Sequence, residues 1–151
     1  MSIPVEEFLI AHGYLALFLI AFLASTLLPL GSEWLLAVLV LKGFDPVASV
    51  LTATLGNTLG ALTTYGIGLW GGPFLVERVL RIDAVARERA EGFYTRYGRW
   101  SLLCSWLPVV GDPLCLVGGI LRVRAWSFVL LVATGKLARY AVVALAALGS
   151  A

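Results

Sequence analysis

Two carboxylates in strongly apolar surroundings are the first residues whose chemistry needs an explanation. Asp112 lies in SWLPVVGDPLCLVGG (105–119), and Glu33 lies in LPLGSEWL (28–35). A charged side chain at the centre of a lipid-facing helix costs about 2.5–3.5 kcal/mol on insertion scales. We therefore expect each acid to face protein or a water-filled cavity, where a carboxyl group can exchange protons.

Two cations occur at a similar depth in the last apolar run, AWSFVLLVATGKLARYAVVALAAL (125–148). Lys136, Arg139 and Tyr140 have the spacing i, i+3 and i+4, which puts them on one face of a helix. In one interpretation the charges form a buried ion-pair network that only holds helices together. In the other, Lys136 and Arg139 bind an anionic headgroup while Glu33 or Asp112 exchanges protons. We favour the second, because intramembrane charges are costly and usually mark a transport pathway.

An internal repeat relates the two acids. At an offset of 79 residues, LPLGSEWL (28–35) falls on LPVVGDPL (107–114), so that Glu33 corresponds to Asp112. The same offset pairs Leu28 with Leu107, Pro29 with Pro108, Leu35 with Leu114, Gly56 with Gly135 and Asn57 with Lys136. The repeat predicts two halves, about 8–72 and 83–149, each with a short hairpin and a spanning helix. An odd number of crossings per half would invert the second copy, as in transporters that build a site near the midplane.

Prolines and glycines shape the two hairpins in this prediction. They are Pro29 and Gly31 in the first hairpin, and Pro108, Gly111 and Pro113 in the second. A helix does not run unbroken through two closely spaced prolines and several glycines. The segment 101–121 is therefore predicted to enter the membrane and turn back, which is tolerated where the backbone faces protein or water.

The segment LGNTLGALTTYGIGLWGG (55–72) supplies further polar side chains. Its glycines permit close helix approach. Asn57 and Tyr65 are predicted to line the polar cavity, Asn57 because its repeat partner is Lys136. Tight helix packing without a ligand is the alternative for this segment.

The composition indicates an integral membrane protein, because 60% of the 151 residues are hydrophobic and only 13% are charged. Its apolar runs are 8–30, 34–41, 46–72, 101–121 and 125–149. The runs 46–72 and 125–149 are long enough to cross a hydrocarbon core of about 30 Å. We predict a single all-α membrane domain over 1–151, with an inverted repeat of two re-entrant helical hairpins, spanning helices and a surface amphipathic helix.

The amphipathic helix is predicted within 73–100, which contains six arginines. Apolar residues recur there at helical spacing, namely Ala86, Ala90, Phe93, Tyr97 and Trp100. The excess of arginine places this loop in the cytoplasm. A re-entrant 101–121 then returns Arg122 and Arg124 to the same side, and 125–149 crosses outward.

Several function classes are disfavoured by the sequence. His12 is the single histidine, and Cys104 and Cys115 lack metal or redox spacing. We therefore expect no metal and no cofactor. No nucleophile–base pair or phosphate-binding loop is visible, which argues against an intramembrane enzyme. No nucleic-acid partner is expected.

The stretches LPLGSEWLLAVLVLKG, LGNTLGALTTYGIGLWGG, LCSWLPVVGDPLCLVGG and GKLARYAVVAL together resemble the DedA superfamily (VTT or SNARE-associated domain proteins), in its short YqaA-like branch. The resemblance implies two facing re-entrant hairpins in a bacterial inner membrane protein. It also implies movement of phospholipids or polyprenyl phosphates between leaflets, with proton coupling. Typical members carry arginines where this chain has Ser105 and Gly111, so anion binding would fall to Lys136 and Arg139.

Two other functions stay open at this point. The first is a structural membrane scaffold without transport, in which the charges only join the two halves. The second is a transporter of small solutes or ions. A homodimer is also compatible with so short a chain.

Overall fold

The structure is a computed structural model that describes residues 5–25, 31–71, 84–107 and 111–151. Its elements are α1 (Val5–Ala24), α2 (Ser32–Leu41), α3 (Pro46–Trp70), α4 (Ala84–Tyr97), a 3₁₀ helix (Gly98–Trp106), α5 (Gly111–Ile120) and α6 (Ala125–Gly149). The described residues contain no β-strand, so the predicted all-α class is confirmed. Pro29, Pro108 and the first part of the loop 73–100 lie outside the described residues.

The backbone repeats at the same offset as the sequence. α2 and α5 both have 10 residues, and α3 and α6 both have 25. Their first residues, 32 and 111 in one pair and 46 and 125 in the other, each differ by 79. The turns between them also agree, since Gly43 (φ 93°) and Arg122 (φ 54°) are both left-handed at equivalent positions. A left-handed non-glycine residue is uncommon, so the repeated turn imposes this conformation on Arg122.

Each short helix packs against the long helix of the other half. α2 contacts α6, and α5 contacts α3, while α1 lies along α3 and the 3₁₀ helix lies along α6. Glycines permit these approaches, because a Cβ on Gly56 would meet the Phe18 carbonyl and a Cβ on Gly135 would meet the Leu103 carbonyl. The two halves therefore exchange their short helices across one interface. The inverted and re-entrant placement in a bilayer stays a prediction.

The outer surface of α6 is apolar. Among the described residues, α6 is the one helix both long and apolar enough to cross a membrane. Trp126, Leu130, Val142 and Leu145 are each more than half exposed on it, which suits a surface in contact with lipid. The predicted spanning segment 46–72 corresponds to α3, which has the same length but carries Asn57 and five threonines.

α4 packs against the protein through part of its apolar face. Ala90 is fully buried, and it contacts Leu114 and Val117 of α5 together with Phe93. Tyr97 and Trp100 are 51% and 59% exposed, because the α-helix ends at Tyr97 and the 3₁₀ helix changes the direction of the side chains. Only these last aromatic residues of the predicted apolar face remain available to a membrane surface.

Candidate functional site

The polar face of α6 forms the centre of the candidate site. Lys136 and Tyr140 are buried and Arg139 is half-buried. The α-helical spacing predicted from the sequence holds, so all three side chains point toward α2, α3 and the 3₁₀ helix. Lys136 lies 11 residues after the first residue of α6 and 13 before the last, which places the group near the middle of the helix.

Lys136 is held by side chains of the first half. Its ammonium donates to Asn57 Oδ1 and, at 3.3 Å, to Ser25 Oγ. The Asn57 amide in turn donates to the Ala21 carbonyl at 2.9 Å. Asn57 and Lys136 are repeat equivalents, 79 positions apart, and equivalent residues that touch lie close to the axis relating the two halves. Ser25 was not predicted, because a small polar residue after an apolar run carries no specific signal.

Arg139 forms the ion pair of the site. Its Nη2 lies 2.5 Å from Glu33 Oε1, and its Nη1 donates to the Trp106 carbonyl at 2.8 Å. The two charged side chains are 30% and 27% exposed, so the pair lies at the edge of the polar cluster. Arg139 thus links α2 with the end of the 3₁₀ helix.

Tyr140 and Ser32 share a buried hydrogen bond of 2.8 Å between their hydroxyl oxygens. Ser32 begins α2, one residue before Glu33. Because the partners belong to different halves, this bond holds the N-terminus of α2 against α6, beside the ion pair.

Asp112 occupies the position in α5 that Glu33 has in α2. Both acids lie in the first turn of their helices, where the helix dipole favours negative charge. Asp112 is half-buried and interacts electrostatically with Lys136 and Arg139. Among the ion pairs within 4 Å in the described parts of the chain, Arg139 is paired with Glu33, and none includes Asp112. The two equivalent acids are therefore not equivalent in their contacts.

The residues predicted to shape the hairpins have several roles. Gly31 precedes α2. Gly111 begins α5, and a Cβ there would collide with the Ser105 carbonyl. Pro113 lies in the first turn of α5, where a missing N–H costs little. Pro113 therefore starts a helix instead of interrupting one, which corrects the prediction that it breaks the segment.

Tyr65 does not join the polar cluster. Its hydroxyl donates to the Val123 carbonyl, and its ring packs on Phe128 with ring centroids 4.5 Å apart. The predicted pathway role of Tyr65 is therefore corrected: the side chain holds the turn between α5 and α6. Ser105, which replaces an arginine of the resemblance, is buried, and its hydroxyl has no hydrogen-bond partner among the described residues.

A groove of about 490 Å³ lies beside the ion pair, between the 3₁₀ helix and α6. Its walls include Leu103, Trp106, Gly135, Ala138, Arg139 and Val142. The lining is almost entirely apolar, and Arg139 is its one charged residue among the described parts of the chain. The sequence did not predict this groove, because its walls belong to segments that meet only in the folded protein. The described residues contain no group of three or more potential metal ligands from His, Cys, Asp and Glu.

Comparison with known proteins identifies the family. The sequence model of the VTT domain matches residues 28–148, which include α2, α3, α5 and α6. The chain belongs to the VTT domain family. This membership confirms the resemblance to DedA proteins drawn from the hairpin sequences.

Individual relatives of this VTT domain protein extend over most of its length. It is 41% identical over 137 residues to "Inner membrane protein YqaA" of Escherichia coli (strain K12), covering 90% of this chain and 92% of the relative. It is 39% identical over 142 residues to an "Uncharacterized protein" of Haemophilus influenzae, covering 89% and 87%. No solved structure matches. The name of the first relative supports a location in a bacterial inner membrane.

Proposed function

We propose that this VTT domain protein moves lipids or lipid-linked phosphates between the two membrane leaflets, as a flippase or scramblase, through a polar site near the midplane. The observation that carries the proposal is the ion pair between Arg139 and Glu33 beside an apolar groove. A site that moves an amphiphile must accept both an anionic headgroup and a hydrocarbon tail. The two features lie next to each other here.

The depth of the charges supports a transport role. Lys136 and Arg139 lie near the middle of a helix long enough to cross the membrane. Charged groups at such depth are costly in lipid and usually mark a substrate or proton pathway. We further propose that Glu33 or Asp112 exchanges protons during the cycle, with Asp112 the better placed because it has no ion-pair partner within 4 Å among the described residues.

The ends of the two short helices also support the proposal. α2 and α5 begin with Glu33 and Asp112 in their first turns. Helix N-termini carry partial positive charge and bind anions. In many transporters, half-helices of inverted repeats direct such ends at an anionic substrate near the midplane. We place the loop 73–100 in the cytoplasm on the basis of its arginines.

A structural scaffold is the second candidate, and one contact favours it. Lys136 is only 3% exposed and already donates to Asn57 and Ser25. A side chain so completely enclosed holds the two halves together whether or not anything is transported. Under this alternative, Arg139 and Glu33 would also be structural.

Reconstitution into liposomes separates the two functions. Purified protein is incorporated with fluorescent phospholipid or polyprenyl phosphate, and movement between leaflets is followed by chemical quenching of the outer label. We expect transport above protein-free vesicles and its loss in Asp112→Asn, which keeps the size of the side chain. Glu88→Gln, on the exposed surface of α4, is the matched control.

The outcomes are distinct for each function. A wild-type protein that is folded and moves neither lipid supports the scaffold. Loss of transport in Asp112→Asn at an unchanged melting temperature supports the transporter. Uptake of a small anion without lipid movement would identify a solute transporter instead. A pH gradient across the same vesicles tests proton coupling, which requires a rate that depends on the direction of the gradient.

A further inference from the structure

The groove beside the ion pair has the shape and surface of a site for a hydrocarbon chain. Its volume of about 490 Å³ falls within the range of typical ligand pockets, about 300–1,000 Å³. Ala138 and Val142 lie on the exposed side of α6, and Trp106 is 41% exposed. The groove therefore opens on the outer surface of the bilayer-length helix. There the surrounding medium consists of lipid tails.

Arg139 supplies the charge that a pure tail site would not need. A guanidinium has five N–H donors in a planar fork that matches the oxygens of a phosphate. In this structure Nη2 contacts Glu33 and Nη1 contacts the Trp106 carbonyl. Since the Arg139 side chain is 30% exposed and lines the groove, a headgroup seated above the tail can reach it.

Glu33 occupies the position that an anionic ligand would take. Its carboxylate lies 2.5 Å from the guanidinium and is itself 27% exposed, so it can leave the arginine without crossing a sealed core. Two anions on one guanidinium repel each other, and binding of a ligand phosphate must therefore weaken the contact with Glu33. The acid behaves as an internal competitor for the arginine.

We propose that the groove binds the tail of one anionic membrane lipid, a phosphate ester, whose phosphate displaces Glu33 from Arg139. The proposal rests on the proposed function for its choice of a membrane lipid as the occupant. It adds the place of binding and the competition. Lipids with a net negative phosphate would be preferred over zwitterionic ones, because a choline group near Arg139 offsets the attraction.

The test measures binding and needs no transport. Purified protein in detergent micelles is titrated with dioleoyl phosphatidic acid or dioleoyl phosphatidylcholine, and bound lipids are counted by native mass spectrometry. We expect one phosphatidic acid to bind in preference to phosphatidylcholine. Glu33→Gln, which removes the competing charge at nearly constant size, is expected to tighten phosphatidic acid binding by about 3- to 10-fold, a modest factor because a partly exposed pair is screened by solvent.

Two further variants separate the headgroup from the tail. Arg139→Gln is expected to weaken phosphatidic acid binding about tenfold and to remove the preference over phosphatidylcholine. Ala138→Phe fills the groove from its exposed side and is expected to weaken binding of both lipids. Leu137→Phe, at the neighbouring position of α6 that does not line the groove, is the matched control and is expected to bind like the wild type.

Specific results would overturn the proposal. If folded Glu33→Gln binds phosphatidic acid no more tightly than the wild type, the competition is wrong. If Ala138→Phe and Leu137→Phe bind alike, the groove does not hold the tail. If inorganic phosphate at the concentration of the lipid displaces it, the site recognises a free anion. Lipid binding with all these features but no movement in liposomes would leave this inference intact and refute only the transport function.

Discussion

Replacement of Asn57 by leucine is expected to destabilise the folded protein by about 2–4 kcal/mol. The change removes the acceptor for Lys136, and a hydrogen bond to a charged group contributes about 1.5–3 kcal/mol. It also removes the bond from the Asn57 amide to the Ala21 carbonyl, which contributes about 0.5–1.5 kcal/mol. Lys136 is 3% exposed and would keep only Ser25 as a hydrogen-bond partner among the described residues.

The second half of this prediction concerns the double variant. Lys136→Met removes the amine and keeps most of the volume of the side chain. Replacing both members of a buried polar pair by apolar groups is often nearly neutral, whereas removing one leaves the other uncompensated. We therefore expect Asn57→Leu/Lys136→Met to be more stable than Asn57→Leu alone. The coupling energy from the double-mutant cycle should be about 1.5–3 kcal/mol.

Equilibrium unfolding in mild detergent with increasing sodium dodecyl sulfate, followed by circular dichroism, supplies the four free energies of unfolding. Thr63→Val is the control for a polar-to-apolar change in α3, because the Thr63 hydroxyl is exposed and bonds within its own helix. Its effect should be within about 0.5 kcal/mol. Single-variant effects that add to within about 0.5 kcal/mol would refute the argument, since independent sites behave in that way.

Two further predictions concern the contacts around the site. Gly135→Ala should lower the free energy of unfolding by about 1–3 kcal/mol because a Cβ would collide with a backbone carbonyl of the 3₁₀ helix; Gly92→Ala, which has open space, should stabilise α4 by up to about 1 kcal/mol, and equal effects in the same unfolding assay would contradict the packing. Tyr140→Phe and Ser32→Ala should each cost about 1 kcal/mol, and the double variant should cost less than their sum because one bond is lost in all three; strict additivity would exclude that shared bond.

Much of the fold could be predicted because its signals are local. Hydropathy identified a membrane protein, and the offset of 79 residues predicted a repeat whose helices begin at equivalent positions, Ser32 and Gly111 in one pair. The fate of individual helix breakers could not be predicted from their type. Pro113 is compatible with the first turn of α5, because its N–H would have no partner inside the helix anyway.

The candidate site was predicted in its members and only partly in its arrangement. Asn57 was assigned to the cavity because it corresponds to Lys136, and the structure joins the two directly. Tyr65 was assigned on its type alone, and its hydroxyl instead binds the turn between α5 and α6. A tyrosine in an apolar helix needs some acceptor when it is buried, but the sequence does not say which one.

The sequence by itself determined the membrane class, the helical elements, their repetition and the presence of two acids and two cations at depth. These properties follow from residue type and spacing along one segment. Only the tertiary structure decided that Arg139 pairs with Glu33 rather than Asp112, and that a groove opens beside this pair. The choice depends on how α2, α6 and the 3₁₀ helix pack, which brings together residues as distant as Ser32 and Tyr140, 108 positions apart. Partners so far apart are selected by the balance of packing over the whole chain, and no local pattern encodes that balance.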